Sequence, residues 1–90
     1  MNPAILVVED EAALVELLRY NLERAGFDVV ASSNGEEALV IVEERNIDLM
    51  LLDWMLPDMS GIEVCRQIRR RPDIKNLPII MLTARSEQTD

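Results

Sequence analysis

The first pattern along the chain is five consecutive apolar residues, Ala4-Ile5-Leu6-Val7-Val8, stopped abruptly by Glu9-Asp10-Glu11. An apolar run without alternation predicts a strand buried on both faces, as in a parallel sheet with helices above and below. From Glu11 the period changes. Leu14, Leu17, Leu18, Asn21, Leu22 and Ala25 fall on one broad helical face, with Glu16, Arg19 and Glu23 opposite. Gly26 follows the last periodic residue, where a left-handed C-terminal cap is expected. Residues 27–31 read as a short second strand, and Ser32-Ser33-Asn34-Gly35 as a turn. Glu36 and Glu37 then place negative charge in the first turn of a second helix, where the helix dipole favours it. That helix carries Ala38, Leu39, Ile41 and Val42 and is expected to end near Arg45-Asn46.

Leu49-Met50-Leu51-Leu52 is the third strand and stops at Asp53; Pro57, in the loop that follows, blocks any continuation of the ladder. Gly61 opens a third helix with Ile62, Cys65 and Ile68 inward and Arg66, Arg69, Arg70 and Arg71 outward, and Pro72 lies just beyond it. A fourth strand over residues 78–82 stops at Thr83, and a polar tail completes the chain. The order β-α-β-α-β-α-β predicts right-handed crossovers and an α/β domain with a parallel sheet covered on both faces.

Composition narrows the function classes. Ninety residues make one small domain, and nine Lys and Arg against seventeen Asp and Glu leave a net charge of −8. That balance argues against nucleic acid bound by this chain itself, because phosphate backbones require a positive patch. The absence of His excludes His-based general-base catalysis and His-ligated metal. A single Cys excludes an internal disulfide and a CxxC zinc site. No apolar stretch is long enough to span a membrane and no charged-then-apolar leader is present, so the expectation is a cytoplasmic, reducing setting without a membrane partner.

Three strands end in a functional group at one edge of the sheet: Glu9 and Asp10, Asp53, and Thr83. Ligands of open α/β sheets bind at the carboxyl ends of strands, so these groups meet in one cleft if the first, third and fourth strands are neighbours. Several carboxylates at close range repel one another, and a hard divalent cation such as Mg²⁺ relieves the conflict. Asp10 and Asp53 are placed to bind it directly, Glu9 through water, and a backbone carbonyl just after Asp53 could complete the set. Taken singly, each residue has a structural reading. Glu9-Asp10 serves equally as a solvated loop or helix cap, Thr83 as a strand-ending hydroxyl, Trp54 as a half-buried packing group, Cys65 as a core filler and the Arg69–Arg71 run as a solvated helix end. It is their order on successive strands that points to a phosphate-handling site.

The motifs Ile5-Leu6-Val7-Val8-Glu9-Asp10-Glu11, Asp48-Leu49-Met50-Leu51-Leu52-Asp53, Leu56-Pro57-Asp58-Met59-Ser60-Gly61 and Pro78-Ile79-Ile80-Met81-Leu82-Thr83-Ala84 resemble the receiver domain of bacterial two-component response regulators. The stretch from Leu51 to Pro57 is similar to the OmpR/PhoB class. The resemblance spans residues 1–90 and implies a flavodoxin-like (CheY-like) doubly wound sheet of strand order 2-1-3-4. It makes Asp53 the phosphoacceptor, and Glu9, Asp10, Asp53 and the backbone carbonyl of Met55 the Mg²⁺ ligands. Thr83 becomes the switch hydroxyl, and the Ala84 amide a donor to the phosphoryl group. The implied phosphoryl donor is a sensor histidine kinase, and the implied output is transcriptional, with DNA reached only through an output domain absent from these residues. The family continues with a further helix, a fifth strand ending in Lys, and a fifth helix, whereas this chain stops at Asp90. The expectation is therefore a receiver truncated after its fourth strand, self-associating through that strand's exposed edge. Two other readings compete. A Mg²⁺-dependent phosphatase of haloacid-dehalogenase type would need a second Asp where Met55 stands, and a non-phosphorylatable interaction fragment would keep the acidic cleft without transfer.

Overall fold

The computed structural model describes residues 2–82, in the order β1 (Ala4–Val8), α1 (Ala12–Arg24), β2 (Asp28–Ser32), α2 (Gly35–Glu44), β3 (Leu49–Leu52), α3 (Gly61–Arg69) and β4 (Ile79–Met81). The strands form one parallel sheet in the order β2-β1-β3-β4. Val8 pairs with both Ser32 and Leu52, and Leu52 pairs with Met81, so the strands reach their carboxyl edge level with one another.

The unalternating apolar runs are explained by burial on both faces. Leu6, Val8, Met50 and Leu52 pack against Ala38, Leu39 and Val42 of α2 and Val64 and Ile68 of α3. On the other face Ile5, Val7 and Leu51 meet Leu18 and Leu22 of α1. Successive strand residues point to opposite sides, so β1, β2 and β3 each feed both clusters, while β4 adds Ile79 and Met81 to the first. Each fully buried side chain such as Leu6 or Leu52 contributes about 1.5–3 kcal/mol of transfer free energy. Among the described residues no helix is long and apolar enough to cross a membrane.

Local boundaries have local causes. Gly26 takes the expected left-handed conformation at φ 99°. The N–H groups of Gly26 and Phe27 donate back to the carbonyls of Glu23 and Leu22, closing α1 with paired C-terminal bonds. Because Phe27 is spent on that closure, β2 begins at Asp28 rather than at 27. β4 is likewise shorter than residues 78–82; Pro78 has no N–H to donate, although its carbonyl accepts from Met50.

Three side-chain expectations are corrected. Leu17 is 58% exposed, because α1 packs along the Leu18–Leu22 line and Leu17 lies about 100° away around the helix. Ile62 is exposed and Val64 buried, since Val64 and Ile68, four residues apart, form the inward line of α3. The arginines are not merely a solvated helix end: Arg69 donates to the carbonyls of Lys75 and Leu77, and Arg71 pairs with Glu43 of α2 at 2.8 Å. Thr83, Ala84 and the polar tail lie outside the described residues.

Candidate functional site

The carboxyl edge of the central strands carries the acidic cluster. The Glu9 N–H donates to the Ser32 carbonyl at 3.0 Å, and the Asp53 N–H donates to the Val8 carbonyl at 3.0 Å, so both residues extend ladders already running through β1. Carboxylate oxygens of Glu9, Asp10 and Asp53 all lie within 4.8 Å of one another. Glu9 is 4% exposed and Asp53 wholly buried, while Asp10 faces solvent. An Asp53 Oδ1 accepts the Trp54 N–H at 2.9 Å, and Glu9 Oε2 accepts the Glu11 N–H at 2.9 Å.

The electrostatics follow from this crowding. Burial pushes the Glu9 carboxyl above its ordinary pKa; the Glu11 N–H opposes the shift, and the charges of Asp53, Asp10 and Glu11 add to it. Three carboxylates with only oxygen donors, two of them withdrawn from water, are suited to a hard cation that neutralises them and leaves coordination positions for water or phosphate oxygens. The donor set thus fits Mg²⁺. A hollow of about 1200 Å³ lies at the opposite end of the sheet, beside Asp28, Asp48 and Pro78, away from this cluster.

The loop after Asp53 is tightly organised. The Gly61 N–H donates to the Trp54 carbonyl at 2.7 Å, Leu56 N–H donates to the Met59 carbonyl, and Met55 bridges Ser60. A Cβ on Gly61 would collide with the Asp53 carbonyl oxygen, so the chain can return beside Asp53 only with glycine there. Trp54 and Met55 are both exposed, which corrects the half-buried packing role expected for Trp54. Cys65 is half-buried against the core, in keeping with a filler. Asp48 stands apart, accepting the Ala4 N–H at 2.8 Å.

Sequence reasoning attached no role to Asp58. Its Oδ1 and Oδ2 accept the N–H groups of Gly35 and Glu36 at 2.8 and 2.9 Å, and those two bonds hold its carboxyl below the ordinary range. No spacing rule could have revealed the pairing, because the partners are 23 and 22 residues away.

A parallel α/β sheet with a buried aspartate beside two further carboxylates at its carboxyl edge defines a domain that binds its ligand at the strand ends. Residues 5–90 match the response regulator receiver domain family, and the chain belongs to it. That membership answers the choice between a signalling receiver and a phosphatase of haloacid-dehalogenase type in favour of the receiver. The chain is 58% identical over its whole length to the phosphate regulon transcriptional regulatory protein PhoB of Rhizobium meliloti, and spans 40% of that protein. It is 53% identical to the alkaline phosphatase synthesis transcriptional regulatory protein PhoP of Bacillus subtilis, of which it spans 37%. Among solved structures, the receiver domain of a sensor histidine kinase from Pseudomonas aeruginosa, with magnesium coordinated in its active-site cleft, superposes with a TM-score of 0.90 at 31% identity. That match covers 100% of this chain and 74% of the other.

Proposed function

We propose that this receiver takes a phosphoryl group on Asp53 from a phosphohistidine of a sensor histidine kinase, in a Mg²⁺-dependent transfer. The observation that carries the reading is a wholly buried Asp53 at the end of β3 with the carboxylates of Glu9 and Asp10 within 4.8 Å. An Asp53 carboxylate oxygen attacks phosphorus, the P–N bond to the donor imidazole breaks with its electron pair returning to the ring, and an acyl phosphate remains on Asp53. Glu9, Asp10, Asp53 and the Met55 carbonyl are the proposed cation ligands. When bound, Mg²⁺ supplies charge neutralisation for the incoming phosphoryl oxygens.

The chain's own part is positioning. The β1 and β3 ladders hold the acidic residues level, and the Trp54 N–H orients the Asp53 carboxylate. Thr83 and Ala84 are proposed as the switch hydroxyl and the phosphoryl-contacting amide. The proposed output is transcriptional control through a domain outside these ninety residues, in line with the regulatory names of the PhoB and PhoP relatives. The proposed setting is the cytoplasm. Self-association through β4 completes the reading: among the described residues its outer side has no strand partner, and Ile80 there is exposed.

Intact-mass measurement after incubation with acetyl phosphate tests the transfer. The expected result is a gain of one phosphoryl group that requires Mg²⁺ and is absent from Asp53→Asn. A gain of equal size in that variant would overturn the assignment.

A further inference from the structure

The start of α2 is capped from outside its own segment. The first N–H groups of a helix have no intrahelical partner. Here Asn34 N–H donates to Ser32 Oγ and Glu37 N–H to Asn34 Oδ1, whereas Gly35 and Glu36 N–H both donate to the Asp58 carboxylate. One side chain of the β3–α3 loop thus satisfies two donors of a helix more than twenty residues earlier. Two bonds from one carboxylate constrain orientation as well as distance. Gly35 makes the approach possible: a Cβ there would stand 2.6 Å from Met59 Cγ and 2.9 Å from Val64 Cγ2.

The same loop begins and ends at the acidic site. It leaves β3 at Asp53, returns at Gly61 against the Asp53 carbonyl, and is tied internally by the Gly61–Trp54 and Leu56–Met59 hydrogen bonds. A loop closed at its base and clamped at its tip behaves as one body, so the clamp reaches the Trp54 N–H that holds Asp53 Oδ1 at 2.9 Å. We propose that Asp58 is a positioning residue for the cation site, clamping the β3–α3 loop onto α2 so that the Trp54 amide and the Met55 carbonyl stand where Asp53 and the bound ion need them. The Mg²⁺ part of this inference rests on the proposed function; the loop part does not.

The experiment compares the unmodified chain with Asp58→Ala, Asp58→Asn and Asn34→Ala. Mg²⁺ titrations are followed by calorimetry and by the fluorescence of Trp54, with urea midpoints and amide hydrogen exchange measured in parallel. Asp58→Ala should weaken Mg²⁺ about tenfold, the low end of what outer-shell partners of metal ligands cost, and should speed exchange of the Trp54 amide without metal. Asp58→Asn, which keeps one accepting oxygen, should fall between. Asn34→Ala removes another cap of the same helix; it should lower the urea midpoint yet leave Mg²⁺ affinity and Trp54 exchange unchanged. Wild-type affinity in Asp58→Ala, or equal weakening in Asn34→Ala, would overturn the inference. If the unmodified chain binds no Mg²⁺, the proposed function fails instead, and Trp54 exchange in the apo variants still decides whether Asp58 positions the loop.

Discussion

Glu9 illustrates how a site residue works against the stability of its own fold. Its carboxyl is held above the ordinary value of 4.5, chiefly by burial, so the folded state binds its proton more tightly than the unfolded chain does. The stability it contributes is full below that ordinary value and is lost as pH rises through the raised folded value. Glu9→Gln keeps an oxygen for the Glu11 N–H and removes the buried charge. It should raise the urea midpoint at neutral pH in the absence of metal, flatten its fall with rising pH, and weaken Mg²⁺ binding. A variant less stable than the original at neutral pH would contradict this account. Asp58 has the opposite sign: its carboxyl is lowered from 3.8 by the Gly35 and Glu36 N–H groups, so its contribution is present above that value and lost as pH falls through the lowered one. Gly61 is constrained by space rather than charge. Gly61→Ala drives a Cβ into the Asp53 carbonyl, and thermal unfolding should show a loss of about 1–3 kcal/mol, the usual cost of overpacking.

At the scale of elements, what was legible in the sequence was what is periodic or local. The apolar runs stopped by Glu9 and Asp53 marked strands buried on both faces, the run through Leu82 marked the more exposed β4, and Gly26 marked the end of α1. The acidic cluster was legible because two of its members follow β1 directly and the third follows β3. Which apolar residue of a helix faces the sheet was harder to read. Ile62, Val64, Cys65 and Ile68 together cover more of α3 than its contact does, and only packing against α2 and the strands selects Val64 and Ile68. Substitution tests that selection: Ile68→Ala should cost about 2–5 kcal/mol, whereas Ile62→Ala should stay within about 0.5 kcal/mol, both read by urea unfolding. Equal losses would contradict the assigned faces. The Asp58 clamp was illegible for another reason, since a hydrogen bond between distant loops leaves no periodic trace.

At the scale of the whole molecule, the net charge is −8, and three of the seventeen acidic residues, Glu9, Asp10 and Asp53, meet in one cleft. A cation bound only by the folded chain stabilises it by RT ln(1 + [L]/Kd), about 2.7 kcal/mol at a hundredfold excess over Kd. For a domain of this size that corresponds to a rise of roughly 10–20 °C in melting midpoint. Melting with and without Mg²⁺ checks it, and an unchanged midpoint in a folded sample would count against the site. The same cleft gives the central claim its most direct measurement: trapping the acyl phosphate with borohydride after acetyl phosphate treatment, then locating the reduced residue by peptide sequencing. The reduced residue should be Asp53 alone; recovery of the label on Asp10, Glu9 or Asp58 would contradict the account.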